Sequence, residues 1–237
     1  MKAASSEKAG VQRLSPRKEP AQTRAAITVQ AILEGAAHLL EHQGFEGYTT
    51  NEIAVRAGVS IGSLYQYFPN KDAVTIALIE RETESMVEEV IAALALAPPE
   101  RALQEAIRVS ARNQVRRPQL ARLLDFEEFR LATLMPTSRA ATVIRDALEA
   151  FLRKSYGLSV RESQEAAVDV VEIAKALNYA SARRGEVDAS SLARFIEAAV
   201  FGYLTAKAEG QAASADYPKP APRLRKFGSA SRSAPRH

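Results

Sequence analysis

Apolar side chains recur every three to four positions along most of this chain, the period of helices that bury one face. After Thr23, placed to cap a helix, Ile32, Leu33, Ala36, Ala37, Leu39 and Leu40 form one stripe. Gly44 is placed to end that helix as a C′ residue, and Phe45 to tuck under the segment that follows. Beyond Asn70 a long helical stripe, KDAVTIALIERETESMVEEVIAALAL, runs until Pro98-Pro99. A further helix covers about 100–117, and Pro118 opens the next at its first position. Pro136 divides that one from a helix running to about Tyr156, closed by Gly157. Two amphipathic helices remain: one gathers Ala167, Val170, Val171, Ala174, Leu177 and Asn178 on a face, the other Leu192, Phe195, Ile196, Ala199, Val200, Tyr203 and Leu204. No segment reads as a strand and no repeat is present. The pattern predicts an all-α fold of about nine helices.

Residues 50–69, TNEIAVRAGVSIGSLYQYFP, meet the packing demands of a helix-turn-helix. Ala54 supplies the small residue needed where two helices cross, and Gly58, four positions on, the turn with positive φ. Ile53, Ala57, Val59 and Leu64 fall at inward spacings. Thr49 or Thr50 caps the first helix of the pair, with Glu52 in its first turn. The second helix then presents Ser60, Gly62, Ser63, Tyr65 and Gln66 outward, as a helix that reads a DNA groove must.

Charge changes the picture at the ends. Residues 1–24 carry six basic and two acidic side chains, and residues 211–237 carry six and one. The intervening 25–210 hold 20 basic and 25 acidic, a net of −5 against +4 for the whole chain. Basic ends on an acidic body favour a polyanion such as DNA; solubilising tails are the alternative. Both ends lack apolar periodicity, so 1–22 and 211–237 are expected to be disordered arms. The 237-residue chain has no cysteine, which rules out disulfides and thiolate metal sites, no apolar run near the roughly 18 residues of a bilayer span, and no leader-like start. No membrane partner is expected, and the expected location is the cytoplasm.

The run GVSIGSLYQYFPNKDAV, with a preceding helix ending at Gly44-Phe45 and the spacing TT-x-x-IA-x-x-AGVS, resembles the TetR family of transcriptional regulators. The resemblance is specific over about residues 24–80; beyond about 85 it rests on helix number and length. It implies a helix-turn-helix DNA-binding head at 23–70 and a ligand-binding and dimerisation domain at 71–210. In that family the last two helices form a four-helix bundle with those of a second copy, the middle helices enclose a small molecule, and ligand binding swings the heads apart. The resemblance therefore implies a homodimer on a palindromic operator, with an unidentified small-molecule inducer.

Individual residues carry this expectation. Ser60 is an N-cap or a phosphate contact. Ile61 and Tyr65, and Gly62 and Gln66, are each one turn apart and share a face. Gln66 can pair with adenine and Ile61 can pack on a thymine methyl. Gly62 costs its helix roughly 1 kcal/mol relative to alanine, which suits close backbone approach to DNA. Ser63, Tyr65 and Tyr67 are expected on phosphates, with a core role the alternative for Tyr67. Lys71 follows the expected cap Asn70, in a first turn where the helix dipole disfavours a cation unless a phosphate sits there. Thr50, Arg56 and Arg24 complete the DNA set. Because residues 25–79 hold two basic against five acidic side chains, long-range attraction must come from the arm, above all Arg13, Arg17, Lys18 and Arg24.

The expected pocket lining is Arg108, Arg112, Asn113, Phe126, Phe129, Arg130 and Tyr179, with core or surface ion pairs the alternative for each. The expected dimer surface is Val170, Ala174, Leu177, Leu192, Phe195, Ile196, Ala199, Val200 and Tyr203. His38 and His42 have a metal-capable spacing but no third ligand in view, and Asp125, Glu127 and Glu128 read as a solvated acidic face. No cofactor, metal or catalytic set is expected, and the chain does not read as an enzyme. The alternatives are a non-specific architectural DNA-binding protein, or a ligand-independent or activating regulator of the same fold.

Overall fold

The computed structural model describes residues 23–131 and 139–215. Nine helices and no strand occur among them: α1 (Thr23–Gln43), α2 (Thr50–Ala57), α3 (Ile61–Tyr67), α4 (Lys71–Leu94), α5 (Pro99–Arg116), α6 (Pro118–Leu131), α7 (Arg139–Tyr156), α8 (Val160–Arg184) and α9 (Ala189–Ala215). The expected division at Pro136 and the arm at 1–22 lie outside the described residues. So does all but the start of the expected tail, where α9 runs to Ala215 rather than stopping at 210. Ala212 and Ala213 are strong helix formers and carry it on.

The punctuation follows local chemistry. Gly44, Gly58, Gly157 and Gly185 all adopt positive φ at helix ends. The Thr49 hydroxyl accepts from the Glu52 amide at 3.2 Å, Ser60 Oγ from Ser63 N at 3.0 Å, and Asn70 Oδ1 from Ala73 N at 2.9 Å. Thr23 is the first residue of α1 rather than its cap. Ser159 and Glu162 form a reciprocal capping box at the start of α8, satisfying two otherwise orphaned donors.

The described residues divide into two units, parted between Phe201 and Gly202. In the first, α1, α2, α3 and the start of α4 share a core: Ile32, Leu33, Ala36, Leu40, Ile53, Ala54, Leu64, Phe68, Val74 and Leu78. Leu120, Leu123 and Leu124 of α6 enter the same core, so the three-helix head is packed directly on the body. A smaller cluster joins Val90 and Ala93 of α4 to Ala106 and Val109 of α5, with Ile144 of α7 against it. The second unit continues α9 from Gly202 to Ala215.

Candidate nucleic-acid interface

The helix pair α2–α3 is held by few contacts, and each one fixes what α3 presents. Ile53, Ala54 and Leu64 are buried, and Ala57 and Val59 pack at the edge of that core. Leu64 is the one fully buried side chain of seven-residue α3, so it sets the helix's rotation; truncation to alanine costs about 2–5 kcal/mol. Gly58 sits at φ 68°, ψ 29°, its N–H reaching the carbonyls of Ala54 and Val55, and Val59 N also donates to Ala54 O. A side chain there is strained whatever the space around it. Behind α2, a Cβ on Gly35 of α1 would meet Ala57 N at 3.2 Å and Ile53 O at 3.3 Å, so α1 needs that glycine to lie against α2. The sequence expectation named Ala54 for the crossing of α2 and α3 and did not single out Gly35, which serves the crossing of α1 and α2.

With Leu64 inward, Ile61, Gly62, Tyr65 and Gln66 all face solvent. A Cβ added at Gly62 would approach only Ser60 Oγ, at 3.9 Å. The protein itself has room for alanine there, so internal packing does not account for a glycine inside a helix. Tyr65 OH lies 3.2 Å from Thr50 Oγ1, tying the exposed faces of α2 and α3. Ser63 is half-buried, with its N–H given to Ser60 Oγ, and Tyr67 packs against the core, which favours the structural role left open for it. Arg24 and Arg56 are exposed, as are Ile27 of α1 and Val55 of α2, apolar residues the sequence reading did not single out.

Lys71 opens α4 directly after its Asn70 cap, as the spacing implied. Its ammonium also lies 5.5 Å from the centroid of the Tyr48 ring, so the cation has a partner inside the protein. Tyr48 is itself buried, its hydroxyl 3.1 Å from Thr75 Oγ1, and burial pushes its phenol far above the ordinary range. The adjacent Asp72 binds Arg130 of α6 at 2.6 Å, and Arg130 also binds Glu127. Farther along the junction, Arg117 gives Nε to Glu41 of α1 at 2.9 Å and Nη1 to Glu82 of α4 at 3.3 Å, while Arg81 reaches Glu34 at 3.2 Å. Two arginines of the body thus grip the head, and no motif announced either. On α1 the His38 and His42 rings stack at 4.0 Å, and desolvation lowers the His38 pKa.

The expected pocket set does not assemble. Phe126 is 49% and Phe129 83% exposed on the outer side of α6, Phe126 resting on Phe45. Arg108 pairs with Glu105 and Glu197, Arg112 with Glu89 and Glu105, and Arg130 with Asp72 and Glu127. Tyr179 is 41% exposed with Arg183 over its ring, and Asn113 is only partly buried. The inward sides of α5 and α6 are filled mainly by alanine, leucine, isoleucine and valine, with Gln114 and Glu127 also buried, which leaves long cations the surface, where their charge stays hydrated.

The expected dimer surface divides in the same way. Val170, Leu192, Ile196 and Val200 are buried within their own subunit and are core. Phe195 stands 57% exposed, Ala174, Leu177, Ala199 and Tyr203 are half-buried, and Val168 and Tyr179 of α8 add exposed apolar surface. Period alone gave a stripe wider than either surface.

An all-helical chain with a helix-turn-helix head on a helical body is the class these observations define. Residues 32–78 match the model of the bacterial regulatory proteins of the tetR family. The A-factor receptor protein of Streptomyces griseus is 34% identical over 65 residues, 27% of this chain and 24% of the relative; the match thus spans about a quarter of that relative's length. Among solved structures, the fatty acid degradation regulator FadR of Bacillus halodurans aligns over 73% of this chain and 94% of its own, with a TM-score of 0.62 and 18% identity. SmeT, solved in complex with triclosan, aligns over 74% and 90% with a TM-score of 0.57 and 17% identity, so these two show the fold. Over residues 32–78 the chain is thus similar to the tetR family of bacterial regulatory proteins, and over its body it shares their fold.

Proposed function

We propose that this protein is a DNA-binding transcriptional regulator that reads a palindromic operator as a homodimer and leaves it when a small molecule enters the body. The observation that carries the reading is the outer face of α3. Four neighbouring positions, Ile61, Gly62, Tyr65 and Gln66, are exposed while Leu64 anchors the helix from behind. Gly62 has open space in front of it. An exposed helix that gives up stability at a position with room for a methyl group suits close approach to a base edge or phosphate.

One helix of this length reads only a few base pairs, so two copies are needed for useful specificity. The exposed apolar residues Val168, Tyr179 and Phe195 supply a self-association surface on α8 and α9. Release by an inducer draws support from the fold, since SmeT has it and binds triclosan. It also draws support from the junction, where α6 shares the head's core and its Arg130 holds Asp72 beside Lys71. A movement of α6 therefore bears on the residue expected to seat a phosphate.

Competition binding tests the reading. Wild-type protein should prefer a selected duplex over random DNA by about 10³-fold or more at physiological salt. Gln66→Ala should relax the preference at one base position, at a cost of about 1–3 kcal/mol. Equal affinity for every duplex would instead favour an architectural role.

A further inference from the structure

Between α5, α6 and α8 the body holds polar side chains that the DNA-binding face does not use. Ser110 and Gln114 stand one turn apart on α5. Asn178 of α8 donates Nδ2 to Ser110 Oγ at 3.0 Å, and Gln114 donates Nε2 to Asp125 Oδ2 of α6 at 3.0 Å. Gln114 is buried, as is Ser181, one turn beyond Asn178 on the same face. Lys175 and Glu128, each one turn from this set on its own helix, close one edge at 2.8 Å.

The seam leaves two buried polar atoms without a hydrogen bond, Asn178 Oδ1 and Ser181 Oγ. Buried amide oxygens are almost always hydrogen-bonded, yet Asn178 Oδ1 is buried and has no partner. Asp125 receives one neutral hydrogen bond, and burial pushes its carboxyl up to about 6. Glu128, on its own helix, pushes the same way; Gln114 of α5 and Lys175 of α8 oppose. Ser110 and Gln114, the α5 partners of Asn178 and Asp125, are neighbours about 5–6 Å apart. Asn178 and Asp125 are thereby brought to one stretch of the seam, each through its own α5 partner. Leu103 and Ile107 continue the same face of α5, and Ala167 and Val170 that of α8, all buried, so what surrounds the seam along these helices is apolar.

We propose that this seam recognises the effector, and that the effector is a protonated organic amine on an apolar body, its N–H groups given to the Asp125 carboxylate and Asn178 Oδ1. The inference rests on the reading that the body binds an effector. It differs from the sequence expectation in every residue.

The test uses full-length protein and three probes of equal length, n-hexylamine, n-hexanol and n-hexanoate, read by thermal unfolding and calorimetry. At ten times its Kd the amine should raise Tm by about 3–5 °C, whereas the alcohol and the acid should not. Asp125→Asn and Asn178→Ala should each weaken amine binding at least tenfold. In the wild type, binding should strengthen about tenfold from pH 5 to pH 7 as Asp125 ionises, a readout that needs no variant. Equal stabilisation by hexanol or hexanoate, no stabilisation by the amine, or amine binding indifferent to Asp125 and to pH would overturn the assignment. Asp125-dependent amine binding that leaves operator affinity unchanged would keep the site and remove its effector role. Release of the operator by hexanoate would keep an effector-responsive body and remove this site.

Discussion

Gly62 and Asp125 are two residues whose intrinsic cost points away from the stability of the subunit. With nothing nearer than 3.9 Å in front of its missing side chain, Gly62→Ala should stabilise the free protein by up to about 1 kcal/mol in chemical denaturation. The same substitution should weaken operator binding at least tenfold; tighter folding with unchanged DNA affinity would remove the argument from close approach. Asp125 is the complementary case. Its folded pKa, about 6, lies above the ordinary aspartate value, so the folded state holds a proton that the unfolded chain has already released. Stability therefore falls as pH rises from about 4 to 6, and the full cost is present above 6. Asp125→Asn keeps an acceptor for Gln114 and should stabilise the protein at pH 7.5 by on the order of 2 kcal/mol, with the gain gone near pH 4. Urea denaturation at the two pH values measures both.

At the scale of elements, the junction between head and body is held by charge as well as by packing. Arg117, between α5 and α6, faces Glu41 and Glu82, and its guanidinium holds the Glu41 carboxyl below the usual range. That contribution is complete above the ordinary glutamate pKa and is lost as pH falls through the depressed one. Arg117→Leu leaves two half-buried carboxylates without their cation and should cost about 2 kcal/mol, most of it recovered in the Arg117→Leu/Glu41→Leu double variant. Additive losses in that cycle would show that the pair is not coupled. Elements of this kind mark where reading the chain succeeded and failed. The helix ends were legible because Gly44, Gly58, Gly157 and Pro118 act through their own backbone, and Ser60 and Asn70 through side-chain caps on amides three residues on. The exposed face of α3 was legible because Leu64 fixes it from four residues away. The pocket and dimer residues were not, because helical period says which side chains share a face but not which neighbour covers it. Arg112 and Asn178 are both polar residues on amphipathic helices; only packing tells that one reaches Glu89 at the surface and the other Ser110 inside.

At the scale of the whole molecule, the head proposed to read an anion has a net charge of −3 over residues 25–79. Short-range contacts from Lys71, Arg56 and helix N-termini can hold phosphates once DNA is near, but attraction from a distance must come from basic residues outside the head. Deleting residues 1–20, which removes Arg13, Arg17 and Lys18, should weaken operator binding and reduce the slope of log K against log[salt] by about 2–3. An unchanged slope would place the long-range attraction elsewhere. Dimerisation belongs to the same scale. Phe195→Asp puts a charge on an exposed large apolar residue of α9, and should yield a monomer that no longer binds the operator.

Operator reading as proposed needs two glycine-containing α3 helices presented together to one duplex. Selection of bound sequences from a random double-stranded pool by the purified full-length protein tests this most directly. An inverted repeat is predicted, its half-sites centred about one helical turn apart or a multiple of it, with two subunits per repeat in the isolated complex. Recovery of a single half-site bound by one subunit, or of no enriched sequence at all, would contradict it.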